Sequence, residues 1–520
     1  MKTGIERHDG LAAAEPAQKE WTIMVYMAGD NNLSEDMVGE LKGMQAAMAA
    51  AGKDCGVNIV AVFDSSYFTV DTAVYSFTPA NSTETLEECR LELGKKNYGL
   101  NAESPRLKNF VYTMLAKPEL RAKQYALIIS GHSDGIMGKT TLRDSNPDSF
   151  VSLSKLRYIL EVAENALPEN QKFDLLGFDS CLMSMIEVGY ELRNVAEIMV
   201  ASQGLTPSAG WPFENILRPL LRAKGQLSSS EFARSIVQTF TDHNKDYVIG
   251  GRSVNINASN LTYAAPLKRT IDALGKYLTL ALNQSVEPDA DLSSAQAETN
   301  GVMRERIADL IHLSHYHSQT FMQEQAVDIC DFARSLQSRS FQMKAEIEIL
   351  AGGEMLSPSA SLLYDAFENI GKLCDAVLAV AKEYVLMNGF SGPEYQFSSG
   401  CSVFFPWTNL AFNLVYDKYS KLDFAKRRSK WFHFIGDYAA KTQRPRIDIR
   451  FTKNKTFLRW AAETGLAPAG DDGRVWTARQ WEARIWDARV WTAKGDMPEF
   501  FKQFGRFRNF DMFHDPFGCE

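Results

Sequence analysis

No apolar run in this 520-residue chain reaches the 18 or so residues that a membrane-spanning helix needs. The opening stretch MKTGIERHDGLAAAEPAQKE has no hydrophobic segment of the kind that marks a secretory signal, and its AAA triplet is not by itself a cleavage site. Cysteine is scarce as well. The seven residues Cys55, Cys89, Cys181, Cys330, Cys374, Cys401 and Cys519 are odd in number, scattered, and without CxxC spacing, which argues against a disulfide framework and a zinc knuckle and points to a reducing, cytoplasmic location. Positive charge is not in excess: 56 Lys+Arg stand against 64 Asp+Glu, a net charge of -8, so there is no footprint for nucleic acid or an anionic membrane. EF-hand spacing is missing, so no sequence motif supports a calcium site.

What is present is an alternation. With 45% hydrophobic residues the chain can bury a large core. Residues 1–20 are polar and Ala/Pro-rich and read as a flexible leader. Apolar runs then predict strands at 22–28, 57–64, 124–130, 173–179 and 196–202, with a sixth at 252–258. Helical patterns lie between them; over 152–167, Leu153, Leu156, Leu160, Ala163 and Leu167 recur at three- and four-residue steps. Near-continuous apolar strands separated by helices predict an α/β fold, a mainly parallel sheet flanked by helices. The 21–258 stretch is read as one domain built on that sheet, 259–443 as a helix-rich part with additional strand around SSGCSVFFP (398–406), packed on it, and 444–520 as a C-terminal extension.

That extension holds a repeat, WTARQWEARIWDARVWTAK, with Trp476, Trp481, Trp486 and Trp491 five residues apart. Five residues turn a helix by about 500°, and in a strand they alternate faces, so neither regular structure aligns the rings. The repeat reads as a spacer or a partner-binding segment.

Two apolar runs end in chemistry. YALIISGHSDG (125–135) presents His132, and LLGFDSCLMS (175–184) presents Cys181, both just past strand ends, where open α/β sheets place ligand and catalytic groups. A thiol near pKa 8.5 is only a few per cent ionised at neutral pH, so a nucleophilic cysteine needs an imidazole beside it. Histidine about 50 residues upstream of cysteine is the caspase-type order. Gly131, Gly135, Gly138, Gly177 and Ser180 flank the tips and let backbone N–H groups of Cys181 and Ser133 approach an oxyanion.

The blocks WTIMVYMAGDNNL, YALIISGHSDG, FDLLGFDSCLMSMIEVGYELRNVAEIMVAS and TPSAGWPF resemble the clostripain-like cysteine peptidases of the caspase-like clan, over roughly residues 20 to 440. The resemblance implies a caspase-like fold, a His132–Cys181 dyad, no organic cofactor, protein or peptide substrates, and a pocket for Arg or Lys before the cut bond; some members of the family use calcium. Its acidic residues correspond to Asp179 and, in TPSAGW, to a position held here by Ala209; a further family glutamate corresponds to Thr206. Ser202 joins Asp179 as a substrate-binding candidate. Many relatives mature by cutting between the His and Cys strands, which here points to Arg143, with Lys139 as a second bond. An upstream activating protease and a role in stress or CRISPR-linked defence follow by analogy. Two other readings compete: a weakly active interaction protein that recruits partners through its extension, and a metal hydrolase using His132, Asp134 and Asp179. His312, His315 and His317 lack an adjacent acidic or cysteine ligand, and KRRSK (426–430) reads as a solvated helix face.

Overall fold

The computed structural model describes residues 18–65, 72–91, 105–137, 144–145, 148–168, 171–245, 253–283, 292–321, 325–426 and 429–441. The leader up to residue 17, the bonds at Lys139 and Arg143, and the tryptophan repeat lie outside the described residues.

The first half alternates strand and helix: β1 (Lys19–Gly29), α1 (Ser34–Ala49), β2 (Val57–Ser65), β3 (Ala73–Phe77), α2 (Pro105–Leu115), β4 (Ala122–Ser130), the short pair β5 (Asp144–Ser145) and β6 (Asp148–Ser149), α3 (Leu153–Glu164), β7 (Phe173–Asp179), α4 (Ile186–Leu192), β8 (Ala196–Ala201), α5 (Phe213–Arg222), α6 (Ser229–His243) and β9 (Val254–Asn260). The second is mostly helical: α7 (Ala264–Asn283), α8 (Ser294–His317), β10 (Thr320–Phe321), β11 (Ala326–Asp328), α9 (Ile329–Ala351), α10 (Pro358–Tyr384), β12 (Val385–Ser391), β13 (Ser402–Phe404), α11 (Asn409–Tyr419) and α12 (Lys430–Lys441).

Eight strands form one sheet in the order β12-β9-β8-β7-β4-β1-β2-β3. The run from β8 through β7, β4 and β1 to β2 is parallel, whereas β3, β9 and β12 pair antiparallel at the two edges. The helix-rich part thus supplies one strand, β12, to the main sheet. Period-2 alternation divides the core: Ile23, Val25 and Met27 of β1 face α1, α5 and α6, while Met24, Tyr26 and Ala28 face the layer holding α2, α3, α7, α9 and α10. Each buried Ile, Val or Met side chain among these contributes about 1.5–3 kcal/mol.

Glu187 and Glu191 of α4, both buried, tie the second half to the first. The Glu187 carboxylate accepts from the Phe404 N–H at 2.8 Å and the Tyr419 hydroxyl at 3.0 Å. Glu191 accepts from the Phe424 N–H at 3.0 Å and from Arg157 at 2.8 Å. Burial still pushes the Glu187 carboxyl up to about 7. Among the described residues no helix is long and apolar enough to cross a membrane.

Candidate functional site

Ser130 of β4 lies opposite Asp179 of β7 in parallel register, and the Gly131 N–H donates to the Asp179 carbonyl at 3.2 Å. Two residues further along each strand come His132 and Cys181. Parallel neighbours lie about 4.8 Å apart, so the register puts the two residues just past neighbouring strand ends at the same edge of the sheet. The turns are tight. Gly131 has φ +147, and a Cβ there would lie 3.2 Å from Ala28 Cβ. Leu182, next after the cysteine, has φ 63, a left-handed conformation costing roughly 1–2 kcal/mol for a side-chain-bearing residue.

Hydrogen bonds hold that turn. The Leu182 N–H donates to Gly204 O at 3.0 Å and the Ser184 N–H to Ser202 O at 2.8 Å, and α4 begins only at Ile186. The Thr206 N–H donates to Cys181 Sγ at 3.3 Å. The Thr206 hydroxyl donates to the Ser180 carbonyl at 3.1 Å and lies 3.3 Å from Ser202 Oγ. Acyl-transfer chemistry belongs to the reduced thiol of Cys181. His132 and Cys181 are 3% and 1% exposed.

Asn32, in the loop after β1, places its Oδ1 2.6 Å from His132 Nε2. An amide oxygen only accepts, so Nε2 carries the proton and the basic lone pair of the neutral ring lies on Nδ1.

The α1-facing side of the sheet continues past Ala126, Ile128 and Leu175 to Ser130 and Asp179. There Asp179 meets Glu40 of α1; the two are 4% exposed each. Asp179 Oδ2 accepts from the Trp211 N–H at 2.8 Å, and the Ser130 hydroxyl lies 3.2 Å from Glu40 Oε2 and 3.5 Å from Asp179 Oδ2. Burial pushes the Asp179 carboxyl up to about 7 against hydrogen bonds from Trp211, Ser130 and Glu40. Burial, then the neighbouring charge of Asp179, holds Glu40 well above the ordinary range.

The sequence reading missed Asn32, Glu40 and the Thr206 N–H. Glu40 had a visible signal: it shares the buried stripe Met37, Leu41, Met44 of α1, an acidic residue on an apolar helical face. Ala209, the expected position of a second pocket carboxylate, is exposed. Ser133 is buried beside the tip, its Oγ 2.9 Å from Met183 Sδ, and Asp134 is also buried. The histidines of α8 belong to the core. His312 and His315 both bond the Tyr438 hydroxyl, at 2.8 and 3.1 Å, His315 stacks between Phe405 and Trp407, and burial lowers His312 to about 4. Among the described residues no three His, Cys, Asp or Glu side chains cluster as a metal site requires.

The model of the clostripain family, peptidase family C11, matches residues 25–438. This chain belongs to the clostripain family. Clostripain from Hathewaya histolytica is 27% identical over 270 residues, covering 46% of this chain and 47% of that protein; the chain spans about half the length of that curated relative. Among solved structures, an inactive zymogen C11 protease from Parabacteroides distasonis covers 79% of this chain and 98% of its own at 16% identity and TM-score 0.49. A secreted C11 cysteine protease from Bacteroides thetaiotaomicron, in complex with an irreversible peptide inhibitor, covers 80% and 99% at 17% identity and TM-score 0.49.

Proposed function

We propose that this chain is a cysteine endopeptidase that cuts after Arg or Lys. The observation that carries the reading is the β4–β7 register, which sets His132 and Cys181 on neighbouring strand tips in a chain of the clostripain family. The thiol proton passes to His132 Nδ1 as sulfur bonds the scissile carbonyl carbon. The oxyanion takes N–H bonds from Cys181 and Ser133. Collapse breaks the C–N bond, the imidazolium gives its proton to the leaving amine, and water then hydrolyses the thioester. Asn32 holds the ring in the tautomer that this sequence of transfers needs.

Asp179 is the acidic wall for the residue before the cut bond, with Ser202 bracing the loop behind the sulfur. The deep burial of both reactive groups supports synthesis as a zymogen, with a cut between His132 and Cys181, at Arg143 or Lys139, to open the site. The cytoplasmic location, the upstream protease and the defence role rest on sequence and analogy.

The test is hydrolysis of a mixed peptide library by reduced wild-type protein and by Cys181→Ala, with the self-cut followed by mass spectrometry. The reading expects cleavage after basic residues and a cut at Arg143 or Lys139, both lost in the variant. Equal hydrolysis by the variant overturns it.

A further inference from the structure

The pair formed by Glu40 and Asp179 has more acceptors than donors. Besides the hydrogen bond that the two carboxyls share, their four oxygens meet, among the described residues, one backbone N–H, that of Trp211, and one hydroxyl, that of Ser130. Asp179 Oδ1 is buried with no hydrogen-bond partner. No Lys or Arg among the described residues forms an ion pair with either carboxyl. A fold that buries two acids without a cation leaves an arrangement that a cationic guest completes.

Gly210 shows where the guest meets them. Its φ is +66, and a Cβ built on it would stand 2.3 Å from Glu40 Oε1 and 2.8 Å from Asp179 Oδ2. Any side chain there would therefore occupy the space against both carboxyls. Gly210 is only half-buried, so both acids lie directly beneath the surface loop that follows Thr206. Ala209, by contrast, carries no charge and is exposed.

We propose that Glu40 is the second specificity-determining carboxylate for the residue before the scissile bond, supplied by helix α1 in place of an acidic residue at position 209. This rests on the reading of Asp179 as one wall of that pocket and adds its partner. Two carboxylates offering several oxygens suit the planar five-donor fork of arginine better than the point charge of lysine, so the pocket selects Arg over Lys.

The experiment compares kcat/KM of the reduced, full-length protein on fluorogenic peptides that differ only in carrying Arg, Lys or citrulline before the cut, citrulline being the neutral near-isostere of Arg. Wild type should favour Arg over citrulline by about a hundredfold or more. Glu40→Gln should lower that ratio by roughly ten- to a hundredfold, the scale of losing one partner of a buried charge-assisted bond. Asp179→Asn should lower it at least as far. If Asp179→Asn collapses the ratio and Glu40→Gln leaves it within about twofold, Glu40 is a structural residue and the proposal falls alone. If wild type cuts Arg and citrulline equally, the basic-pocket reading fails and this inference with it. Should Glu40→Gln not fold, Glu40→Asp withdraws the carboxylate by one methylene while keeping its charge. It is then expected to move the Arg/Lys ratio more than about threefold, and an unchanged ratio overturns the proposal.

Discussion

Replacing Glu187 by glutamine should make the protein more stable at pH 8 than the parent, relative to their difference at pH 4.5. The carboxyl is fully buried on α4, and its ordinary value of 4.5 is raised to about 7, by burial first and against hydrogen bonds from the Phe404 N–H, its own backbone and the Tyr419 hydroxyl. The charged and titratable neighbours, Tyr419, Tyr384 and Cys401, are all pushed up by burial and stay neutral across this range. Between pH 4.5 and 7 the folded state therefore holds a proton that the unfolded state has released, and stability falls as pH rises through that window. The span corresponds to about 3 kcal/mol. Glutamine mimics the protonated acid: its Oε1 can keep both accepted bonds, while its amide resembles the buried acid's unbonded O–H. Urea unfolding of both proteins at pH 4.5, 6 and 8 tests this, since subtraction removes Asp179 and Asp328, raised by burial to about 7 and about 6, and Glu40, which burial raises as well. Parallel pH profiles would show that Glu187 does not carry a raised proton affinity, and that its role as a buried tether between α4, β13 and α11 has been misjudged.

Asn32→Ala should lower kcat by about ten- to a hundredfold with little change in KM, because only the orientation of His132 is lost, and Asn32→Gln should not restore it. A change in KM alone would count against that positioning role. On Arg substrates kcat/KM should rise with pH through about 7 as Asp179, raised to about 7 by burial, becomes available as an anion; the groups facing it are Glu40, Ser130 and the Trp211 N–H, with Asp36 acting on Glu40. Citrulline substrates should lack that limb, and an identical limb on both would assign it elsewhere. Gly210→Ala should cost about 1–2 kcal/mol of stability from its φ of +66 and should weaken Arg hydrolysis more than citrulline hydrolysis, which paired assays of the two substrates would check.

The central strands were legible because a parallel strand covered on both faces is an unbroken apolar run, as in QYALIIS and FDLLGFD. The same logic located His132 and Cys181 at strand tips. The edges were harder. β12 has a mixed exposure pattern with no clean alternation and lies within a region that reads as helix, so only its long-range pairing with β9 reveals it as part of the main sheet. The antiparallel direction of β9 likewise shows only in its pairing with β8 and β12. Asn32 and Glu40 were hidden for a related reason: each reaches its partner across about a hundred residues, and nothing local marks an asparagine in a turn or a glutamate on a helix as belonging to a site.

The pairing of imidazole and sulfur is tested most directly by where a substrate-like electrophile lands. Reduced protein treated with a peptidyl acyloxymethyl ketone carrying Arg, then digested and mapped by mass spectrometry, should carry the adduct on Cys181 alone, with labelling slowed by about a hundredfold or more in His132→Ala. Labelling that favours Cys55, Cys89, Cys330, Cys374 or Cys401, or that proceeds at the parent rate without His132, would contradict the account.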